Sequence, residues 1–214
     1  MRLYLSSFGM GDHPEHLLAL VGQDSRRAVV IANAMDDAPA DVRRAGVELE
    51  LAALAGAGLE AVELDLRDYF GRGEGLRRDL ARVGMAWLRG GNVFTLRYAL
   101  RRSGADAVLG ELLAADALVY AGYSAGSCVL SPSLQGLELV DDPAAVTRAY
   151  GCQPVWDGLA LLTEAFVPHY QSPGHPETAA IELVVTRYRA EGIPYRALHD
   201  GQALLINGQQ TVIV

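Results

Sequence analysis

The sequence predicts an α/β fold, a three-layer sandwich on a mostly parallel sheet with antiparallel edge strands near the C-terminus. Short β-rich runs alternate with longer amphipathic stretches along the 214 residues, the pattern of repeated βαβ units. Several of the short runs are apolar throughout, as expected for strands covered on both faces. Near the end of the chain, Asn207-Gly208 stands between two apolar runs and signals a hairpin that adds antiparallel strands at one edge.

Strands are expected at residues 3–6, 28–32, 61–66, 85–88, 117–121, 165–167, 195–198, 203–206 and 211–214. Helical periodicity appears between them. Val47, Leu51 and Leu54 recur on one face, with Gly56 as a stop. A helix over 93–102 has Asn92 as its N-cap and arginines in its last turn. Ile181, Val184, Val185 and Tyr188 form a stripe, with Pro176 and Glu177 suited to the first turn and Gly192-Ile193-Pro194 ending it. The glycine-dense segment 71–75 reads as a surface loop. Residues 134–158 have weak periodicity and read as an excursion over the active-site face. No internal repeat or linker divides the chain, so one domain is expected.

Half of the residues are hydrophobic and 21% are charged, a globular composition. The net charge of −8 argues against a nucleic-acid surface, which needs clustered positive charge. No N-terminal signal and no apolar stretch of membrane-spanning length is visible, so a cytoplasmic location is expected. The two cysteines, Cys128 and Cys152, supply neither a disulfide framework nor a metal spacing.

The chemistry centres on Gly122-Tyr123-Ser124-Ala125-Gly126. This segment follows a strand-like run and precedes the small-residue segment Ser127-Cys128-Val129-Leu130. That is the pattern of a nucleophile elbow, a serine on a sharp turn between strand and helix. The glycines let the two elements approach, and the helix N-terminus offers free N–H groups beside the serine oxygen. A chain with 23 glycines can carry such a motif by chance, so its flanking elements matter.

An elbow serine requires a base and a group that orients the base. His169 ends the run 165–168, at the strand end where catalytic groups collect in parallel sheets, and His175 is its rival in the following loop. Asp200 follows the run 195–198 and suits an orienting acid, although Asp200-Gly201 also reads as a turn. Glu138, Asp141 and Asp142 are competing carboxylates. His13 and His16 could share a helix face, but with no third ligand no metal site is expected. Arg89-Gly90-Gly91-Asn92 closes the 85–88 strand, and its glycine N–H groups suit an oxyanion or simply a tight turn. The N–H of Ala125 is the second donor candidate.

Gly90-Gly91-Asn92-Val93-Phe94, Gly122-Tyr123-Ser124-Ala125-Gly126, Pro168-His169-Tyr170 and His199-Asp200-Gly201, in that order, resemble the peptidase E (aspartyl dipeptidase) family and its cyanophycinase relatives. The resemblance implies a fold like the flavodoxin-like class I glutamine amidotransferases and one catalytic domain over 1–214. It implies Ser124 as nucleophile, His169 as base, Asp200 as orienting acid, and Gly91 and Ala125 as oxyanion donors. Asn92, Arg89 and Tyr170 are the candidate substrate contacts. Asp200 stands where peptidase E has glutamate, and Arg89 replaces the first of three glycines. Ala179 occupies the position of the arginine that pairs with the substrate's aspartate, so strict Asp-X selection is not expected. Arg89, Arg148 and Arg187 are possible substitutes.

The expected function is a cofactor-free serine peptidase, monomeric or homodimeric, that cleaves short peptides as a dipeptidase or aminopeptidase. No nucleic-acid or membrane partner is expected. An esterase or amidase using the same triad, and a non-catalytic binding protein of the same fold, are the alternatives.

Overall fold

The computed structural model describes residues 1–22 and 25–214. The chain runs β1 (Arg2–Ser6), α1 (Pro14–Val21), β2 (Arg27–Ile31), α2 (Ala40–Gly56), β3 (Glu60–Glu63), α3 (Gly73–Leu80), β4 (Met85–Leu88), α4 (Val93–Ser103) and α5 (Ala105–Ala114). It continues through β5 (Val119–Tyr123), α6 (Ala125–Cys128), α7 (Ala145–Tyr150), β6 (Ala165–Val167), α8 (Thr178–Glu191), β7 (Tyr195–Ala197), β8 (Ala203–Asn207) and β9 (Gln210–Ile213).

Seven strands form one sheet in the order β3-β2-β4-β5-β1-β8-β9. The first five are mutually parallel, while β8 and β9 join antiparallel at one edge. Successive side chains point to opposite faces of a strand. Leu3 and Leu5, Val29 and Ile31, and Ala86 and Leu88 therefore enter one core. Tyr4, Val30 and Trp87 enter the other. Helices α1 and α2 cover the second core, and α4, α5 and α8 cover the first, which gives the three layers.

The expected hairpin is present, with Asn207 paired to Gln210 and Gly208 at φ +61° in the turn. Asn92 caps α4 by accepting N–H bonds from Phe94 and Thr95 at 3.0 and 3.1 Å. The structure departs from the sequence reading in several places. Segment 71–75 is not a loop throughout, because α3 begins at Gly73 and buries Leu76 and Leu80, one turn apart. The strand expected over 61–66 stops at Glu63. Asp65 then accepts the Arg67 N–H and turns the chain into a 3-10 helix at Leu66–Tyr69. Among the described residues, strands β6 and β7 pair only with each other, in a second, parallel sheet. Helices α1 and α5 lie outside the predicted elements.

Strands β1, β4 and β5 all end at the same edge of the sheet because they run parallel. Residues 7, 89 and 124, which follow them, are thereby gathered together. Helix α6 approaches the end of β4 very closely. A Cβ on Gly122 would meet the Leu88 carbonyl oxygen at 2.5 Å, and one on Gly126 would overlap the same oxygen more severely.

Substituting Gly126→Ala is expected to destabilise the protein by roughly 2–4 kcal/mol, because backbone on both sides must move. Gly110→Ala, in α5 with open space around it, should instead stabilise by about 0.5–1 kcal/mol. Urea denaturation of the two variants measures both signs.

Candidate active site

Ser124 lies between β5 and α6 with φ +50° and ψ −118°. A backbone strained into this region persists only where its surroundings fix it. Those surroundings are dense. The Tyr120 hydroxyl donates to the Gly126 carbonyl at 2.6 Å, and the Ser127 hydroxyl bonds the carbonyls of Gly122 and Ser6 at 3.0 and 3.1 Å. The N–H of Cys128 closes the first helical turn onto the Ser124 carbonyl at 2.8 Å. As the first residue of α6, Ala125 has no intrahelical acceptor for its N–H. Gly91, at φ +140°, lies so close to Ala34 that a Cβ would come within 2.7 Å of its carbonyl oxygen.

His169 follows β6, is fully buried and also adopts a left-handed backbone, φ +57°. Its Nδ1 is 2.7 Å from Asp200 Oδ1. Ser7, the residue after β1, ties this pair to the main sheet. The Ser7 hydroxyl donates to Asp200 Oδ1 at 2.7 Å and accepts the His169 N–H at 2.8 Å. A second serine, Ser172, accepts the Asp200 N–H at 2.8 Å. With Nδ1 facing the carboxylate, Nε2 is left for chemistry. Burial lowers the His169 pKa from its usual value; the Asp200 hydrogen bond and charge oppose that fall, and His175 adds to it. Among the described residues the Ser124 hydroxyl makes no hydrogen bond, yet Ser124 and His169 line one cavity of about 190 Å³.

Phe8, Arg89, Gly90, Gly91, His175 and Glu177 also line that cavity. The His175 ring stacks on His169, with centroids 3.6 Å apart and planes 4° from parallel, and the exposed Phe8 ring meets both edge-on. Ser124 also lines a second, narrow cleft, together with Ala125, Leu137, Val140, Asp141, Glu177 and Ile181. Asp141 accepts the Val93 N–H at the start of α4, 2.8 Å away. Burial pushes its pKa up to about 7; the Val93 N–H opposes this, while the Glu177 and Asp37 charges reinforce it. The 134–158 excursion thus forms one wall of the site. A larger apolar cavity of about 270 Å³, bounded by Pro132, Tyr188 and Pro194, does not include Ser124.

Two of the competing carboxylates are engaged elsewhere, whereas His175 and Asp141 line the site itself. Glu138 pairs with Arg187, and Asp142 pairs with Arg148. These contacts also occupy two of the arginines proposed as substitutes at Ala179, whereas Arg89 lines the cavity. Asn92 and Tyr170 line neither cavity. The Asn92 side chain is spent on the α4 cap and the Asp142 carbonyl, and the Tyr170 hydroxyl accepts from Gln171 and Arg189. His13 pairs with Glu15 at the start of α1 and lines neither space beside Ser124. The Cys128 thiol is buried, which raises its pKa well above the ordinary value and leaves it inert. Ser7 and Ser172 escaped the sequence reading. For Ser7, the signal was its place at the end of a parallel strand.

His169, His175 and Glu177 bring possible metal-ligand atoms within 4.8 Å of one another. An imidazole binds a metal along the lone pair in its ring plane. Two nearly parallel, stacked rings direct those lone pairs side by side, so they do not converge on one ion as placed.

The model of peptidase family S51 matches residues 8–214. The chain belongs to peptidase family S51. It is accordingly a serine peptidase. An uncharacterized peptidase of Listeria monocytogenes serovar 1/2a is 29% identical over 166 residues, covering 78% of this chain and 76% of that protein. An uncharacterized peptidase of Pasteurella multocida is 27% identical over 136 residues, 63% and 61% of the two chains. The crystal structure of a candidate peptidase E protein from Listeria monocytogenes EGD-e superposes with a TM-score of 0.80 at 24% identity, over 100% and 97% of the chains. A peptidase from an acI-B1 actinobacterium gives 0.71 at 15% identity, over 100% and 86%. These structures share the fold of the S51 peptidase. No helix among its described residues is long and apolar enough to cross a membrane.

The raised pKa of Asp141 fixes the sign of a stability effect. Between its ordinary value of 3.8 and about 7 the folded state holds a proton that the unfolded chain releases, so stability falls as pH rises through that window. Asp141→Asn is expected to remove this decline and to be more stable than wild type at pH 8 by on the order of 1–3 kcal/mol. Denaturant melts of both proteins at pH 5 and pH 8 measure it.

Proposed function

We propose that the S51 peptidase hydrolyses short peptides with a free amino terminus through an acyl-enzyme on Ser124. The observation carrying this reading is the strained elbow serine sharing a cavity with a buried histidine held by a carboxylate. In the mechanism, His169 Nε2 takes the proton of the Ser124 hydroxyl as its oxygen attacks the scissile carbonyl. Asp200 keeps Nδ1 protonated and stabilises the imidazolium. The N–H groups of Gly91 and Ala125 receive the oxyanion. His169 then gives its proton to the departing amine, and water repeats the sequence to release the acid. The missing Ser124–His169 hydrogen bond does not weigh against this, because such contacts tighten when substrate binds.

The surroundings of Ser124 support a short substrate. The imidazole must reach the departing amine, so the leaving residue occupies the cavity that His169 lines. The acyl residue then faces the narrow cleft that Ser124 also lines. That cleft has room for about one water, which favours a small first residue. Glu177 and Asp141 border it and suit the substrate's ammonium group, a reading that includes both dipeptidase and aminopeptidase action.

With a panel of alanyl dipeptides, Ser124→Ala is expected to lower kcat by at least about 10⁴-fold. A fluorophosphonate probe should label wild type at Ser124 and leave the variant unlabelled. Equal turnover by both proteins would remove Ser124 from the mechanism. The acid limb of kcat/KM against pH should lie below the ordinary histidine value of 6.5, because burial disfavours the imidazolium. A limb above that value in the rate profile would contradict the assigned base.

A further inference from the structure

We infer that Arg89 is the receptor for the α-carboxylate of the leaving residue, so that the site reads a free C-terminus one residue beyond the scissile bond. This rests on the proposed peptidase reaction, which places the leaving residue in the cavity shared by His169 and Arg89. Arg89 directly follows β4, and its side chain is 19% exposed. Its fixed position comes from a buried carboxylate. Glu50, on α2, accepts from Trp87 Nε1 at 2.8 Å and from the Tyr123 hydroxyl at 2.6 Å, and stands 3.2 Å from Arg89 Nε. Arg89 Nη1 donates to the Gly90 carbonyl at 2.8 Å.

These contacts anchor the guanidinium without using it up. Among the described residues, Nη2 has no partner, and the buried Nε lies near Glu50 without a well-aligned hydrogen bond. A guanidinium that borders a cavity with donors to spare matches a carboxylate, which it binds through two parallel N–H bonds. Anchoring by Glu50 reduces the conformational freedom that binding must remove. Among the described residues Glu177 is the one carboxylate lining the same cavity, and the two imidazoles also line it. The two other arginines considered as substitutes, Arg148 and Arg187, line neither space and are engaged by Asp37 and Asp142 and by Glu138 and Glu191.

The test measures binding, so it does not depend on turnover. In the Ser124→Ala background, calorimetry compares Ala-Leu with its C-terminal amide. The acid is expected to bind about tenfold tighter or more, and Arg89→Gln should abolish the difference. Arg89→Lys, which keeps a cation beside Glu50, should retain part of the preference and guards against misfolding of the glutamine variant. Equal binding of acid and amide, or a preference that survives Arg89→Gln, overturns the assignment. A third ligand, Asp-Leu-amide, separates the two possible sources of a carboxylate. If it binds better than Ala-Leu-amide and loses that advantage in Arg89→Gln, the arginine reads the first side chain and the inference fails. Turnover of Ala-Leu by wild type tests the peptidase reading separately.

Discussion

The close approach of α6 to the end of β4 is the constraint on which the site depends. The Leu88 carbonyl occupies the space that Cβ atoms on Gly122 and Gly126 would need. Two glycines, one before and one after Ser124, let the chain leave β5, reverse sharply and enter a helix within a single residue. The left-handed serine follows from that geometry, since no gentler path connects a buried parallel strand to a helix packed across its neighbour. Hydrogen bonds from Tyr120 and Ser127 to the carbonyls of the turn hold it in place.

A second set of contacts brings the two sheets into register at this point. His169 belongs to the small β6–β7 layer and Ser124 to the large sheet, so their relative position depends on what joins the layers. Ser7 is one such link, bonding both the backbone of His169 and the carboxylate of Asp200 from the end of β1. The charged groups around Ser124 are distributed over the two spaces that it lines. Asp141 borders the narrow cleft, Arg89 borders the cavity of the imidazole, and Glu177 reaches both. A dipeptide is likewise a zwitterion, with an ammonium that suits the carboxylates and a carboxylate that suits the arginine, which ties the charges of the site to the length of the proposed substrate.

Much of this was legible in the sequence because it rests on local patterns. Continuous apolar runs mark β2, β4 and β5, and Asn92 marks the start of α4. The elbow motif identifies Ser124 by its glycines. What escaped depends on long-range contacts. Ser7 has no motif of its own, and its role exists only because β1 lies between β5 and β8. The 71–75 segment contains glycines that favour a loop, but tertiary burial of Leu76 and Leu80 draws it into α3. Asn92 and Tyr170 are near the motifs in sequence, yet their side chains are committed to local hydrogen bonds. Arg89 was visible as a departure from the family's glycine. Its anchor, Glu50, lies 39 positions earlier and could not be paired with it from spacing alone.

The central claim is that Ser124 carries the acyl group, and the most direct measurement is to catch it there. The protein is mixed with the p-nitrophenyl ester of alanine, quenched in acid before turnover is complete, digested and weighed by mass spectrometry. The expected result is an alanyl adduct on the peptide containing Ser124, accompanied by a burst of p-nitrophenol and absent from Ser124→Ala. A burst with the adduct on another residue, or steady turnover that never loads Ser124 at any quench time while Ser124→Ala remains active, would contradict it.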